Sequence, residues 1–491
     1  MNAAPPILSC AESQDFESAW FAGDEAREWA AMQQAGRAVA EAVLTDFREL
    51  GVFPANARIL VLAGKGHNAG DALIAAKRLH ELHPQVRIEV LFIFGELPLR
   101  PLTQRAWHDL APVSTRASQP LAGAYDVVLD GVFGYQFRPP LSPAVATVLT
   151  AVNALDVRLR AAVDLPSGLD ATEAFQADFT YATGIVKTPL LTLPSAGRIC
   201  YLDLGFFNTP TAAADPKCNL LGYTFPLRVL TPAVLEPLRR LRASNTDKRS
   251  YGHLFIIGGS RSYPGAVLMS VLAALRSGLG LVTAFVPESL APAFAARAPE
   301  AMWVGWPETP EGGLALEGAH LLREKVSRAT ALLIGPGLGR ERETLALAKD
   351  LVSHSPLPVV IDADALQADI VAAGTAARIL TPHAGEYARI AGVLTPSMVV
   401  IKKGPITQVC AGAKTYASFY GGPVLARGGS GDLLAGLTAG LLAQTPDDET
   451  GAACRGTVWH GLAADALAQT HGQVAVNVTQ LMDFLPSILR I

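Results

Sequence analysis

Short apolar, β-branched runs alternate with stretches of helical periodicity along most of the chain, the pattern of parallel strands buried on both faces by crossover helices. In the first half, residues 59–63, 87–94, 126–130 and 161–164 read as strands, with a helix at 72–82 among the connections. The pattern restarts at 253–258 and continues through 281–286, 331–335, 359–362, 378–380 and 398–402. It then closes in helices beginning at Asp432 and near Thr457. After Tyr201-Leu202-Asp203-Leu204-Gly205 the residues to about Phe225 are rich in Pro, Thr, Ala and Asn and lack periodicity, which sets the domain boundary there. The expectation is an α/β protein of two doubly wound domains, 1–224 and 225–491, without short repeats or heptads.

Composition narrows the function classes. Half of the 491 residues are hydrophobic and only 17% are charged, enough to bury two large sheets and too apolar for disorder. A net charge of −4 with no long basic run excludes a dedicated nucleic-acid binder and favours small ligands. Cys10, Cys200, Cys218, Cys410 and Cys454 lack metal or redox spacing and read as core residues or inert thiols of a reducing compartment. The first fifteen residues carry no signal-peptide pattern and no stretch reaches about 18 uninterrupted apolar residues, so the expected location is cytoplasmic, with no membrane partner.

The most informative stretch is Ala426-Arg427-Gly428-Gly429-Ser430-Gly431-Asp432. Its glycines aim backbone N–H groups outward, and Leu433, Leu434, Leu437, Leu441 and Leu442 follow at helical spacing, so the loop feeds the positive end of a buried helix. Asp432 at that helix start is either an N-cap or a base. Gly258-Gly259-Ser260 before Tyr263-Pro264-Gly265-Ala266, and Gly335-Pro336-Gly337-Leu338-Gly339, place further glycines at strand ends, as tight turns or phosphate cradles. Asp362 and Asp364 end an apolar strand, suited to magnesium or to a cap. His383 and Glu386 fall in a turn and do not read as core, while Lys402-Lys403-Gly404 could hold a nucleotide phosphate. In the first half, 63–73 joins a strand to a helix with Asn68 and Asp71 as turn and cap residues. Asp130 and Asp164 end neighbouring strands, where they frame a cleft or cap turns.

In order, the second-half motifs resemble the ADP- or ATP-dependent NAD(P)H-hydrate dehydratases, a ribokinase-like family, over about residues 226–491. The resemblance implies that Ala266, Gly337, Gly339, His383 and Asp432 contact the hydrated nicotinamide nucleotide. Lys403, Gly404, Pro405, Ile406, Thr407 and Gly431 would hold ADP or ATP, used with Mg2+. The reaction it implies is loss of water from NADHX or NADPHX.

The first half, through Val163-Asp164-Leu165-Pro166-Ser167-Gly168-Leu169-Asp170 above all, resembles the Rossmann-like NAD(P)H-hydrate epimerase domain over about 10–220. That resemblance makes Asn68, Asp130 and Ser167 ligands of K+ and Asp164 the acid/base. It gives His67, Asn68, Ala69, Gly70, Asp71, Gly134, Tyr135, Gln136, Phe137 and Arg138 to substrate binding. The family usually has Asn-Asn-Gly-Gly-Asp-Gly where this chain has His67-Asn68-Ala69-Gly70-Asp71-Ala72, and Gly-Thr-Gly where it has Gly134-Tyr135-Gln136. The alanines are expected to add a Cβ where the backbone needs φ > 0 or a close approach to phosphate, and Tyr135 to crowd the pocket. The whole chain resembles the bifunctional NAD(P)H-hydrate repair family, with a homo-oligomer expected. The competing reading is a ribokinase-like small-alcohol kinase carrying a catalytically silent N-terminal scaffold, against which Thr381-Pro382-His383 and the retained Asn68, Asp130, Asp164 and Ser167 argue.

Overall fold

The computed structural model describes residues 4–119, 121, 123–207 and 225–490; Cys218 and most of the stretch read as the domain boundary lie outside these. The chain divides into two compact units, one holding Asn2–Val229 with Ala468–Gly472, the other Leu230–Leu467 with Gln473–Ile491.

In the first unit the strands lie in the order Ser114–Arg116, Arg87–Phe92, Arg58–Ala63, Tyr125–Gly131, Val157–Val163, Phe179–Thr183, Arg198–Leu202, every neighbouring pair parallel. Side-chain alternation divides the core. Ile59, Val61 and Ala63 pack with helices Glu25–Phe47, His67–Leu82 and Pro101–Leu110, whereas Leu60 and Leu62 pack with helix Pro143–Asn153. Strand order reverses between Arg58–Ala63 and Tyr125–Gly131, so the connections leaving their carboxyl ends diverge and open a crevice. Phe179–Thr183, which the periodicity misses, is buried although it carries two threonines. The Thr180 hydroxyl donates to the Ala196 carbonyl at 2.7 Å, which removes the cost of burying it.

The sheet of the second unit runs Lys414–Ser418, Thr407–Ala411, Val399–Lys402, Arg378–Leu380, Val359–Ile361, Ala331–Ile334, His253–Ile257, Leu281–Pro287, Met302–Trp306. It is parallel throughout that run except around Thr407–Ala411, which pairs antiparallel with Val399–Lys402 on one side and, through a turn at Gly412 with φ +58°, with Lys414–Ser418 on the other. Here the order reverses between Ala331–Ile334 and His253–Ile257. The two glycine loops leaving these strands are stitched together: Gly259 N–H donates to the Pro336 carbonyl at 2.8 Å, and the Ser260 hydroxyl to that of Gly337 at 2.8 Å. The last long helix begins at Glu449, not near Thr457. No helix of the described residues is long and apolar enough to cross a membrane.

Helix Ser430–Gln444 is apolar all round and buried along its length. It meets helix Pro264–Arg276 at backbone distance, for a Cβ on Gly436 would lie 2.1 Å from the Ser270 carbonyl oxygen. The same contact lets the Ser270 hydroxyl donate to the Asp432 carbonyl at 2.9 Å, tying together helices that begin at two of the glycine loops. Gly436→Ala should therefore force the helices apart and destabilise the second unit by about 1–3 kcal/mol. Gly392→Ala, whose Cβ would meet nothing within 4 Å, should change the thermal unfolding midpoint little. Equal midpoints for the two variants would contradict this account.

Candidate active sites

In the first unit the carboxyl ends of the three central strands open on a cleft of about 560 Å3. His67, Asn68 and Asp71 line it from the start of helix His67–Leu82, Gly134 to Arg138 from the next loop, and Asp164 from the strand beyond. Ala69 and Gly70 do not. Ala69 is fully buried, and a Cβ on Gly70 would strike Met32 Sδ at 2.5 Å.

The cap expected of Asp71 is absent, because Gly66 caps the helix and Asp71 sits one turn inside it, facing the cleft. Burial, together with the Asp164 and Glu17 carboxylates, raises its carboxyl well above the usual range, with Lys187 opposing. Ala69 and Ala72 need no positive φ: both stand in a right-handed helix.

Asp164 takes the left-handed conformation (φ +65°) at the end of its strand and forms a 2.5 Å ion pair with Lys187, 1% exposed. A non-glycine residue held at positive φ is strained, and here the ion pair fixes what the strain aims. Burial pulls the Lys187 ammonium down, but Asp164 and Glu17 more than offset this and its net shift is upward. Tyr135 does not plug the cleft. Its hydroxyl donates to Glu17 Oε2 at 2.6 Å, and its ring centroid lies 5.3 Å from Lys187 Nζ. Sequence reasoning missed Glu17 and Lys187. The lysine alone left a signal, as a charge inside the otherwise uncharged run Ile185–Leu191.

At the edge of the cleft, Asn68 comes together with Asp130 and Ser167 around Phe133. Ser167 donates its N–H to Asp130 Oδ2 and its hydroxyl to Oδ1, both at 2.7 Å. It also accepts the Phe133 N–H at 2.9 Å, while Asn68 Nδ2 donates to the Phe133 carbonyl at 2.8 Å. Burial pushes Asp130 up to about 6 against these neutral donors, and no cationic side chain pairs with it among the described residues. An all-oxygen set around one uncompensated carboxylate fits a weakly held monovalent cation.

In the second unit Asp432 is not the cap either. Gly429, at φ +93°, is the N-cap of helix Ser430–Gln444, and Asp432 stands three residues on with its carboxylate free of capping. Burial, followed by the nearby Asp362 carboxylate, pushes it up to about 7 against the pull of Lys403. Lys403 Nζ lies 3.3 Å from Asp362 Oδ1, and a Cβ on Gly431 would sit 3.0 Å from that ammonium, so the 403–407 turn and the Gly431 loop converge. Gly337 packs on Ala266 and Tyr263, a Cβ there meeting the Tyr263 carbonyl at 2.4 Å.

Asp362 and Asp364 do not form an open magnesium cage. Asp362 accepts the Thr381 hydroxyl at 2.5 Å besides pairing Lys403, and Asp364 accepts the Gly339 N–H at 3.1 Å and pairs Arg340. Among the described residues no cluster of three His, Cys, Asp or Glu could hold a metal. Glu386, expected outside the core, is buried and accepts the His383 N–H at 2.8 Å. His383 Nδ1 accepts the Gly385 N–H at 3.0 Å, and Nε2 lies 3.4 Å from Glu386 Oε1 on a ring that stays exposed.

Residues 254–487 match the family model of NAD(P)H-hydrate dehydratase, and 29–189 that of the YjeF-related protein N-terminus. The bifunctional NAD(P)H-hydrate repair enzyme Nnr of Moorella thermoacetica is 32% identical over 94% of this chain and 92% of its own length. That of Gloeobacter violaceus is 32% identical over 97% and 96%. A Bacillus subtilis ADP/ATP-dependent NAD(P)H-hydrate dehydratase co-crystallized with ATP/Mg2+ is 27% identical, covering 53% of this chain and 97% of its own, with a TM-score of 0.44.

Removing one partner of a pair buried as deeply as Lys187 and Asp164 strands the other's charge. Lys187→Met should cost about 3 kcal/mol of first-unit stability in denaturant unfolding. The double change with Asp164→Leu should recover most of that loss. A double variant as unstable as the single one would refute the pairing argument.

Proposed function

The chain belongs to the bifunctional NAD(P)H-hydrate repair enzymes, and on that premise we propose how its residues divide the work. The first unit interconverts the R and S forms of hydrated NADH or NADPH at C6, and the second dehydrates the S form at the expense of ADP or ATP. The observation that carries the second assignment is the free Asp432 carboxylate on the first turn of a helix entered through Gly428-Gly429-Ser430-Gly431.

Hydroxide is a poor leaving group at neutral pH, so the C6 hydroxyl is first phosphorylated. Asp432 takes the hydroxyl proton while the loop amides hold the transferring phosphoryl group. The ring nitrogen then expels phosphate, and loss of a C5 proton restores the dihydronicotinamide. Ala266, Gly337, Gly339 and His383 hold the hydrated nucleotide; Lys403, Gly404, Pro405, Ile406, Thr407 and Gly431 hold the adenine nucleotide. Mg2+ would be held by the nucleotide's own phosphates, where it would offset their charge, since the aspartates nearby are already partnered.

In the first unit Asp164, held by its 2.5 Å ion pair with Lys187, is the base that works on the C6 hydroxyl. Asn68, Asp130 and Ser167 would hold K+, which offsets the buried Asp130 charge and steadies the loop from Gly134 to Arg138 against the substrate. Lys65 and Arg100 line the same cleft, a basic rim suited to a pyrophosphate.

Turnover is read as recovery of dihydronicotinamide absorbance from an R/S mixture of hydrated NADH with ATP and Mg2+. Asp432→Asn should keep the fold and lose at least about 100-fold in kcat. In the wild type, kcat/KM should fall about tenfold per pH unit below about 7, because the raised Asp432 carboxyl is then protonated and cannot accept the hydroxyl proton. Near-normal turnover by Asp432→Asn would remove Asp432 from the base role. Formation of a stable phosphorylated alcohol in place of absorbance would favour the small-alcohol kinase reading.

Asp164→Ala should leave S dehydration intact and stall the progress curve near the S fraction. K+ should speed wild-type R-to-S conversion beyond Na+ at equal ionic strength. Unchanged conversion in both experiments would favour a silent N-terminal scaffold.

A further inference from the structure

Opening a cyclic hemiaminal needs a proton removed from one atom and a proton delivered to another, and Asp164 supplies only the first. The inference below rests on the epimerase reading of the cleft. Beside the Lys187–Asp164 pair stands a second one, Tyr135 and Glu17, joined at 2.6 Å from different elements: Tyr135 from the loop after strand Tyr125–Gly131, Glu17 from helix Cys10–Phe21. Both line the cleft. The Tyr135 ring lies against the Lys187 ammonium, 5.3 Å from centroid to Nζ, so the two pairs adjoin across one wall.

We infer that Tyr135 is the second acid/base group of the epimerisation and that Glu17, acting through it, is its proton reservoir. Asp164 takes the proton of the C6 hydroxyl, the C6–N1 electron pair moves to N1, and an aldehyde forms at C6. The Tyr135 hydroxyl turns from Glu17 to give its proton to N1, and the protonated Glu17 carboxyl then returns a proton to the tyrosinate. After rotation about C5–C6, N1 attacks the other face of the aldehyde. The N1 proton returns through Tyr135 to Glu17, and the proton on Asp164 returns to the new hydroxyl. No proton or electron is consumed over the cycle.

Burial raises the Glu17 carboxyl above its usual range, as a reservoir requires, against the pull of Lys187 and the Tyr135 hydroxyl. Asp164 and Glu28 are the other charged groups that act on it. The tyrosine that stands where the family usually has threonine is then working equipment and no obstruction.

The test uses the full chain with K+ and an R/S mixture of hydrated NADH, following R-to-S conversion by the slow phase of absorbance recovery. The fast S phase, which belongs to the other unit, serves as a control in the same tube. Tyr135→Phe should lower kcat for conversion about 100-fold with little change in KM, and remove one limb of its pH profile. Glu17→Gln, which can still accept the tyrosine hydrogen bond but cannot store a proton, should lower kcat without raising KM. Because the two residues form one relay, the double variant should be no slower than Tyr135→Phe alone, whereas independent structural roles would add.

Wild-type conversion no faster than the spontaneous rate would overturn the epimerase reading and this inference with it. Fast wild-type conversion that Tyr135→Phe leaves intact, or slows only through KM, overturns this inference alone. Should Tyr135→Phe lower the unfolding midpoint, Glu17→Gln decides: an unchanged kcat and pH profile in that variant overturns the relay.

Discussion

One buried ammonium serves three carboxyl groups in the first unit. Lys187 pairs directly with Asp164, and both Glu17 and Asp71 feel its charge. A single positive charge cannot stabilise three negative ones in a half-dry cleft, so the proton inventory divides: Asp164 takes the ion pair while Asp71 and Glu17 are pushed toward their neutral forms. The surrounding backbone conforms to that division. Asp164 accepts a left-handed conformation to reach the lysine, and helix Cys10–Phe21 contributes Glu17 to the cleft wall. The bases and acids that hemiaminal chemistry calls for follow from one scarce counter-charge.

The second unit solves a related problem by other means. In the proposed reaction its carboxylate works beside nucleotide phosphates, and the cation that acts on it, Lys403, is already shared with Asp362. Asp432 is therefore only partly compensated, and its raised proton affinity suits a base that must strip a hydroxyl near neutral pH. Its position rests on packing: a side chain on Gly436 could not coexist with the Ser270 carbonyl, so the helix that carries Asp432 lies against the helix that follows the Gly258-Gly259-Ser260 loop. Catalytic geometry and core packing are here the same contact.

Much of this was legible in the sequence because the local signals were strong. Apolar runs marked the central strands of both sheets, and glycine loops at their ends marked both crevices. Aspartate is a good cap, so the sequence offers Asp71 as a cap and Asp432 as either a cap or a base; in each case a glycine upstream starts the helix and the carboxylate is carried inward to face the site. Asp362 and Asp364 offered carboxylates without revealing that Thr381, Lys403 and Arg340 already engage them. Glu17 was invisible for a different reason. Its role exists only through Tyr135, more than a hundred residues away, and neither the period of its helix nor any short motif records that contact.

The two sites face different thermodynamic tasks, and their chemistry reflects it. Epimerisation at C6 has almost no driving force, so the first cleft gains nothing from holding one epimer tightly; it needs acids and bases that work equally well in both directions. A shared pool of protons around one lysine meets that need, since every transfer is returned within the cycle. Dehydration is driven by nucleotide hydrolysis and runs one way, so the second site is organised around holding anions and one base. Withdrawal of the S form by the second site gives direction to the first, with mass action through the common substrate as the only coupling required.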